Sequence, residues 1–172
     1  MKKMFYMALF LGLVSCFAGF SLSYVHDLTE EIINTNNLNN EMKNLTMMYP
    51  DKEFKKLDYK DDVVLKVYQS DDLYIFNTST FGYNKSQAIS LLIAIKEHEI
   101  LKMVVLGEQE TDGYGSKCFE DSFINDNYLY KNNSDDISIT SSASYTSKAI
   151  KEAIDKAFMI YEEMEAEWCL RI

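Results

Sequence analysis

A run of hydroxyl-bearing residues near the C-terminus is the stretch best suited to chemistry: Ser141-Ser142-Ala143-Ser144-Tyr145-Thr146-Ser147-Lys148. From Ser147 to Trp168, apolar residues recur at the three- and four-residue spacing of an amphipathic helix. Side-chain oxygens at a helix start can cap its free N–H groups. Those N–H groups and the helix dipole also favour a bound phosphate. The run therefore predicts a helix start that is either simply capped or a phosphate site.

A glycine loop upstream is the second stretch that could form part of a binding site. It reads Glu110-Thr111-Asp112-Gly113-Tyr114-Gly115, and the pair Gly82-Tyr83 lies earlier in the chain. Two glycines one residue apart allow backbone to approach a flat ring closely, which suits an aromatic ligand. A plain glycine turn has the same spacing, so the loop by itself leaves both interpretations open.

These residues need a domain to position them, and residues 49–172 contain the elements for one. A turn around Pro50 leads into an alternating hairpin, and two apolar strands follow. A short helix then precedes a polar strand-and-turn stretch and the final helix. The predicted elements are a hairpin of Val63–Tyr68 and Leu73–Phe76, strands at Ala88–Ile95 and Ile100–Leu106, a helix at Phe119–Ile124, and the polar stretch Tyr128–Ser134.

The N-terminal residues 1–26 are predicted to form a transmembrane anchor. Lys2 and Lys3 precede a charge-free run from Met4 to Val25, and 22 helical residues span about 33 Å, enough for a bilayer core. The leading basic pair predicts that the following domain lies outside the cytoplasm. Residues 27–48 are expected to form a helical connector, with the asparagine-rich run at 34–40 polar enough to interrupt it.

Two alternatives to an uncleaved anchor remain open. A cleaved signal peptide would need a shorter apolar stretch and a small-residue cleavage site. The run Leu13-Val14-Ser15-Cys16 resembles a bacterial lipobox, which would make Cys16 a lipidated N-terminus. Apolar sequence continues past Cys16, which favours the spanning helix.

Charge and the remaining reactive side chains exclude several functions. The net charge of −10 argues against nucleic acid as a partner. Cys16, Cys118 and Cys169 lack metal-ligand spacing; the last two could pair in an oxidising compartment, although an unpaired core thiol is favoured. His26 is interpreted as an interfacial residue, and His98, in the charged turn of residues 96–99, is expected to be solvated.

Taken together, these motifs resemble the FMN-binding domain family. The hydroxyl run is similar to the Ser-Gly-Ala-Thr-x-Thr-Ser signature in the G subunit of the Rnf electron-transport complex and the C subunit of the sodium-translocating NADH:quinone reductase. The glycine loop resembles the family's Glu-Thr-Pro-Gly-Leu-Gly. Ser142 stands at the family's Gly, Ser144 at its acceptor Thr, and Ser138 at an Asp.

The resemblance implies an α+β fold, with a twisted, mostly antiparallel sheet and packed helices behind the membrane helix. It implies FMN joined through a phosphoester to Ser144 by a flavin transferase. Other membrane subunits of an electron-transport complex would be the partners, and the chain would be an electron carrier rather than a stand-alone enzyme. The site residues implied beside Ser144 are Glu110, Thr111, Gly113, Gly115, Ala143, Thr146 and Ser147.

Two other functional classes remain. A flavin-free paralogue with the same fold could serve as an assembly or interaction subunit, as the departures at Ser138, Ser142 and Ser144 suggest. An unrelated anchored module for small ligands is the second. Flavin absorbance of the purified protein distinguishes the flavoprotein from both.

Overall fold

The chain divides into two units, Met1–Pro50 and Asp51–Ile172. The computed structural model describes residues 2–59 and 61–169. Some side chains within these ranges lie outside the description, namely those of residues 4, 5, 27, 28, 30–41 and 167–169. The side chains of Cys169, the predicted pairing partner of Cys118, and of Trp168 are among them. The two units are described separately.

The first unit contains one long helix, α1 (Lys2–Met48). The helix continues without a break through residues 34–40, so the predicted interruption is wrong. Asparagine costs well under about 1 kcal/mol per helical position relative to alanine, and no glycine or proline lies between residues 20 and 48. The helix ends two residues before Pro50, because proline disfavours helical geometry in the residue ahead of it.

The N-terminal part of α1 has the composition of a membrane span. Tyr6–His26 comprises 21 residues with a mean hydropathy of 1.9. At 1.5 Å per residue this segment is about 31 Å long, close to the thickness of a bilayer core. By length and composition it could cross a membrane, and a signal sequence has the same properties.

The second unit is built on a five-stranded sheet whose strands follow chain order. Each strand pairs antiparallel with the next, which confirms the α+β class and the antiparallel sheet. The predicted hairpin is confirmed as β2 and β3, and the two predicted apolar strands as β4 and β5. The strands are β1 (Lys55–Leu57), β2 (Val64–Ser70), β3 (Leu73–Thr80), β4 (Ile89–Lys96) and β5 (Glu99–Gly107).

The turn between β4 and β5 also forms as predicted, but His98 is not simply solvated. Glu97 and His98 both have positive φ, 52° and 59°, as a tight hairpin turn requires. The His98 Nε2 atom lies 3.0 Å from a carboxylate oxygen of Glu165, and its ring meets that of Tyr161 edge to face. The turn is therefore held against the last helix.

Short helices connect β5 to the last helix. A 3₁₀ turn (Gly115–Phe119) precedes α2 (Asp121–Asn127), so the predicted short helix exists and begins two residues later than expected. The predicted strand within Tyr128–Ser134 is wrong. The Tyr130 N–H donates to the Ile100 carbonyl on β5 at 2.8 Å, and the Ile100 N–H donates to the Lys131 carbonyl at 3.1 Å. The φ of 59° at Tyr130 nevertheless prevents an extended strand.

The last helix, α3 (Ser144–Cys169), covers one face of the sheet and contacts β2, β3 and β4. Its buried apolar residues pack with Phe76 and Ile93 of the sheet in one core. Cys118 is a buried free thiol in this core, as favoured from the sequence. Five residues of the apolar stripe after Ser147 are buried, and Met164 is partly buried against the core; the five are Ile150, Ile154, Ala157, Phe158 and Tyr161.

Candidate functional site

A cavity of about 310 Å³ lies at the start of α3. Three segments converge on it: the loop after β3, the loop after β5, and the first turn of α3. Its volume is at the lower end of the range typical of small-molecule pockets. The lining residues are Tyr83, Glu110, Thr111, Tyr114, Gly115, Ser142, Ala143, Ser144, Tyr145 and Thr146.

The hydroxyl run forms the start of α3, which begins three residues earlier than predicted. A 3₁₀ turn (Ser141–Ala143) leads directly into the helix at Ser144. The buried Ser147 hydroxyl donates to the Ala143 carbonyl at 2.9 Å and accepts from the Thr140 N–H at 3.2 Å. These bonds hold the 3₁₀ turn against the first helical turn, so Ser147 supports the wall of the cavity.

A buried carboxylate joins the three segments. Glu110 is only 8% exposed, and its Oε2 accepts a hydrogen bond from the Thr146 hydroxyl at 2.5 Å. The backbone N–H of Tyr83 donates to Oε2 at 3.2 Å, and that of Asn84 donates to Oε1 at 3.1 Å. A buried carboxylate is tolerated when several donors replace its water. Glu110 therefore fastens both loops to α3.

Two glycines make room for this carboxylate. A Cβ built on Gly82 would lie 2.5 Å from Glu110 Oε1, and one on Gly115 would lie 2.8 Å from Glu110 Cβ and from Thr146 Oγ1. The sequence interpretation was that Gly113 and Gly115 let backbone approach a flat ring, and that contact stays a prediction. It did not include the packing of Gly82 and Gly115 against Glu110. Gly113 differs, because a Cβ there meets open space while its φ of +74° favours glycine.

The hydroxyls of the run differ in what they already bind. Thr146 and Ser147 direct theirs to protein partners and are both buried. Ser142 and Ser144 line the cavity and, within the described residues, have no hydrogen-bond partner for their hydroxyls. Ser144 is also the first residue of α3, where backbone N–H groups lack intrahelical partners.

Six of the eight predicted site residues line the cavity; Gly113 and Ser147 are outside its described lining. Gly113 bonds through its N–H to the Ser116 hydroxyl at 3.0 Å. Direct contact of either residue with a ligand stays a prediction. The residues brought to the cavity are Ser144, Glu110, Thr111, Gly115, Ala143 and Thr146.

Sequence reasoning missed Tyr114 and Tyr145 as lining residues and Asn84 as a partner of Glu110. Tyrosines in loops carry no periodic signal that marks them as ligand contacts. Asn84 acts through its backbone N–H, which every residue except proline supplies. Only the position of Tyr145 beside Ser144 could have suggested its role.

The electrostatics of the site exclude some chemistry. Within the described lining, Glu110 is the only charged residue, so a bound phosphate would depend on N–H and hydroxyl donors. Burial raises the pKa of the Cys118 thiol, which therefore stays protonated and a poor nucleophile. Among the described residues, no three histidine, cysteine or acidic side chains are placed to hold a metal ion.

Residues 82–159 match the family model described as FMN-binding domain. The match begins at Gly82, contains the loop with Glu110, and ends within α3 beyond Ser144. It supports the FMN-binding domain family for this part of the chain. No curated protein matches the chain.

Proposed function

We propose that this chain is a membrane-anchored flavoprotein subunit of an electron-transport complex, with FMN attached by a phosphoester to Ser144. The observation that carries the proposal is the Ser144 hydroxyl, which has no hydrogen-bond partner among the described residues and lies at the cavity, on the first residue of α3. It lies inside the region that matches the FMN-binding domain model.

The residues of the cavity fit this cofactor. The free N–H groups at the start of α3 and the helix dipole would stabilise a phosphate on Ser144, an effect worth up to about 2 kcal/mol. The flat ring would lie against the loop from Glu110 to Gly115. Because the cavity measures only about 310 Å³, part of the flavin would stay exposed and accessible to a partner.

FMN would supply reversible electron transfer, and the protein would supply placement and electrostatics. The buried negative charge of Glu110 lies at the cavity and would oppose added negative charge on a nearby ring. Thr146 and the two backbone N–H groups that bind Glu110 moderate this effect. Glu110 would thereby help to set the potential of the bound flavin.

Attachment needs an activated flavin and a transferase. A bond forms between Ser144 Oγ and the phosphorus of FMN while the anhydride bond of a flavin dinucleotide donor breaks. The nucleoside monophosphate leaves, and the serine proton passes to a base on the transferase. A covalent link prevents loss of the cofactor by diffusion, which matters for a domain on the extracytoplasmic side of the membrane. The remaining membrane subunits of the complex would donate and accept the electrons.

The test is co-expression of the full chain with a flavin transferase, followed by a denaturing gel read for flavin fluorescence. We expect a fluorescent band for wild type and for Ser144→Thr, and none for Ser144→Ala. Ser141→Ala and Ser142→Ala are matched controls, because both remove exposed hydroxyls from the same run and should keep the band. Protease added to intact protoplasts should shorten the labelled band if the domain faces outward.

Each alternative outcome has a defined meaning. A band that persists in Ser144→Ala but disappears in Ser142→Ala would move the acceptor to Ser142, whose hydroxyl also has no partner among the described residues. If neither wild type nor Ser144→Thr gives a fluorescent band while a control substrate of the transferase is labelled, the result would support the flavin-free subunit instead. Full protease protection would contradict the proposed orientation.

A further inference from the structure

Three tyrosines on the cavity expose most of their surface. Tyr83, Tyr114 and Tyr145 are 67%, 61% and 64% exposed, and all three line the cavity beside Ser144. Aromatic rings contribute most of their favourable free energy when they are buried. Three such rings on one cavity therefore indicate a surface that becomes covered. We call these three residues the tyrosine rim.

The backbone beneath the rim is fixed while the rings remain open. The Tyr83 N–H is bonded to Glu110, and Tyr145 lies between Ser144 and the buried Thr146 in α3. The Tyr114 N–H donates to the Thr111 carbonyl at 3.1 Å and starts a 3₁₀ turn. The rim is therefore preorganised, which lowers the entropy lost on binding a ligand.

Two of the rings are already in contact with each other. The ring centroids of Tyr83 and Tyr145 are 6.1 Å apart with planes inclined by 58°, within the usual range for interacting aromatic pairs. These residues come from the loop after β3 and from α3, the two segments that Glu110 joins. Tyr114 adds a third ring from the loop after β5.

We propose that the tyrosine rim is a stacking platform for the isoalloxazine ring of the flavin on Ser144. This inference rests on the proposed function and deepens it by assigning the ring contacts. The platform holds the ring by stacking and leaves the charge of Glu110 beside it.

Stacking on tyrosine has a direct optical consequence. The excited flavin accepts an electron from a phenol ring in contact with it, and the electron returns as the pair decays, with no net chemical change. The flavin on the folded protein is therefore weakly fluorescent. Unfolding removes the contacts and restores emission, while the phosphoester to Ser144 remains.

The experiment compares flavin emission of the labelled full-length protein in detergent before and after denaturation in guanidinium chloride. We expect a several-fold increase on denaturation for wild type. Tyr114→Leu, Tyr83→Leu and Tyr145→Leu should each be brighter when folded and equal to wild type when unfolded. Tyr130→Leu is the matched control, because Tyr130 is 66% exposed and lies outside the cavity lining among the described residues.

The outcomes separate failure of the platform from failure of the proposed function. A labelled protein whose emission is the same folded and unfolded, and unchanged by the three substitutions, overturns the platform and leaves the function intact. If no label forms, free riboflavin is titrated onto the protein. Quenching that weakens in the Tyr114→Leu and Tyr145→Leu proteins but not in Tyr130→Leu supports the platform. Absence of any quenching overturns it.

Discussion

The two ends of α3 carry the same chemical pair in different surroundings. At the N-terminal end the Thr146 hydroxyl donates to Glu110 at 2.5 Å, and at the C-terminal end the Tyr161 hydroxyl donates to Glu165 at 2.6 Å. Glu110 is 8% exposed, whereas the Glu165 side chain is 42% exposed. Both partners of the first pair are buried, whereas the second pair joins the buried Tyr161 phenol to a carboxylate that meets solvent.

The difference determines what each pair contributes. Thr146 and Glu110 are 36 residues apart in sequence, and the carboxylate also binds two N–H groups of a third segment. Tyr161 and Glu165 are four residues apart on one helix, and the Glu165 carboxylate also lies 3.0 Å from His98 Nε2. When one partner of a buried hydrogen-bonded group is removed, the remaining donors have no water to bind. The free energy of unfolding therefore falls by more than it does when a solvent-exposed contact is lost. The Thr146–Glu110 pair thus organises the site, while the Tyr161–Glu165 pair adds local support.

The largest effect should come from filling the space around the buried carboxylate. Gly82→Ala and Gly115→Ala should each lower the free energy of unfolding by about 3 kcal/mol, because the new Cβ displaces Glu110 from its donors. Gly113→Ala is the matched control in the same loop, and its positive φ predicts a loss of about 1 kcal/mol. Urea unfolding of the full chain in detergent measures all three. Equal losses at Gly113 and Gly115 would contradict the packing role of Gly115.

The second effect tests the two carboxylates themselves. Glu110→Gln should lower the free energy of unfolding by about 2 kcal/mol. The carboxylate accepts hydrogen bonds from three donors, and the amide NH₂ of glutamine would face at least one of them. Glu165→Gln should cost less than about 1 kcal/mol, as expected for an exposed charged contact. If both substitutions cost the same in urea unfolding, burial does not distinguish the two ends of α3.

The third effect is expected only at alkaline pH and concerns the hydroxyl donor of the Tyr161–Glu165 pair. Burial, reinforced by the hydrogen bond to Glu165, raises the pKa of Tyr161 from 10.0 to about 12. The unfolded chain therefore ionises first, and the contribution of the protonated phenol is complete below pH 10 and lost as the pH rises to about 12. The difference in unfolding free energy between wild type and Tyr161→Phe should fall across this window. A constant difference would show that the environment of Tyr161 does not favour its protonated form.

Much of the fold follows from local sequence patterns. Alternating and continuous apolar runs identify β2 to β5, and the three- and four-residue spacing after Ser147 identifies α3 and its buried face. These patterns suffice because each element buries the side chains that its own period brings together. The same local reasoning was wrong at residues 34–40 and at Tyr128–Ser134, where polar composition is a weak guide to backbone conformation.

The candidate site was predictable only as a set of segments. The hydroxyl run, the glycine loop and Gly82-Tyr83 each stand out in the sequence, and the structure brings all three to one cavity. Their individual roles did not follow from spacing. Gly113 and Gly115 look equivalent in sequence, but one serves a positive φ and the other makes room for Glu110 and Thr146.

By itself, the sequence determined which elements form and which segments carry reactive side chains, because periodicity and residue type are local properties. The tertiary structure decided which hydroxyls stay available. Thr146 is committed to Glu110 and Ser147 to the turn before α3, while Ser142 and Ser144 remain open to the cavity. That distinction depends on a carboxylate 36 residues away in the chain, whose position only the packed sheet and helix define.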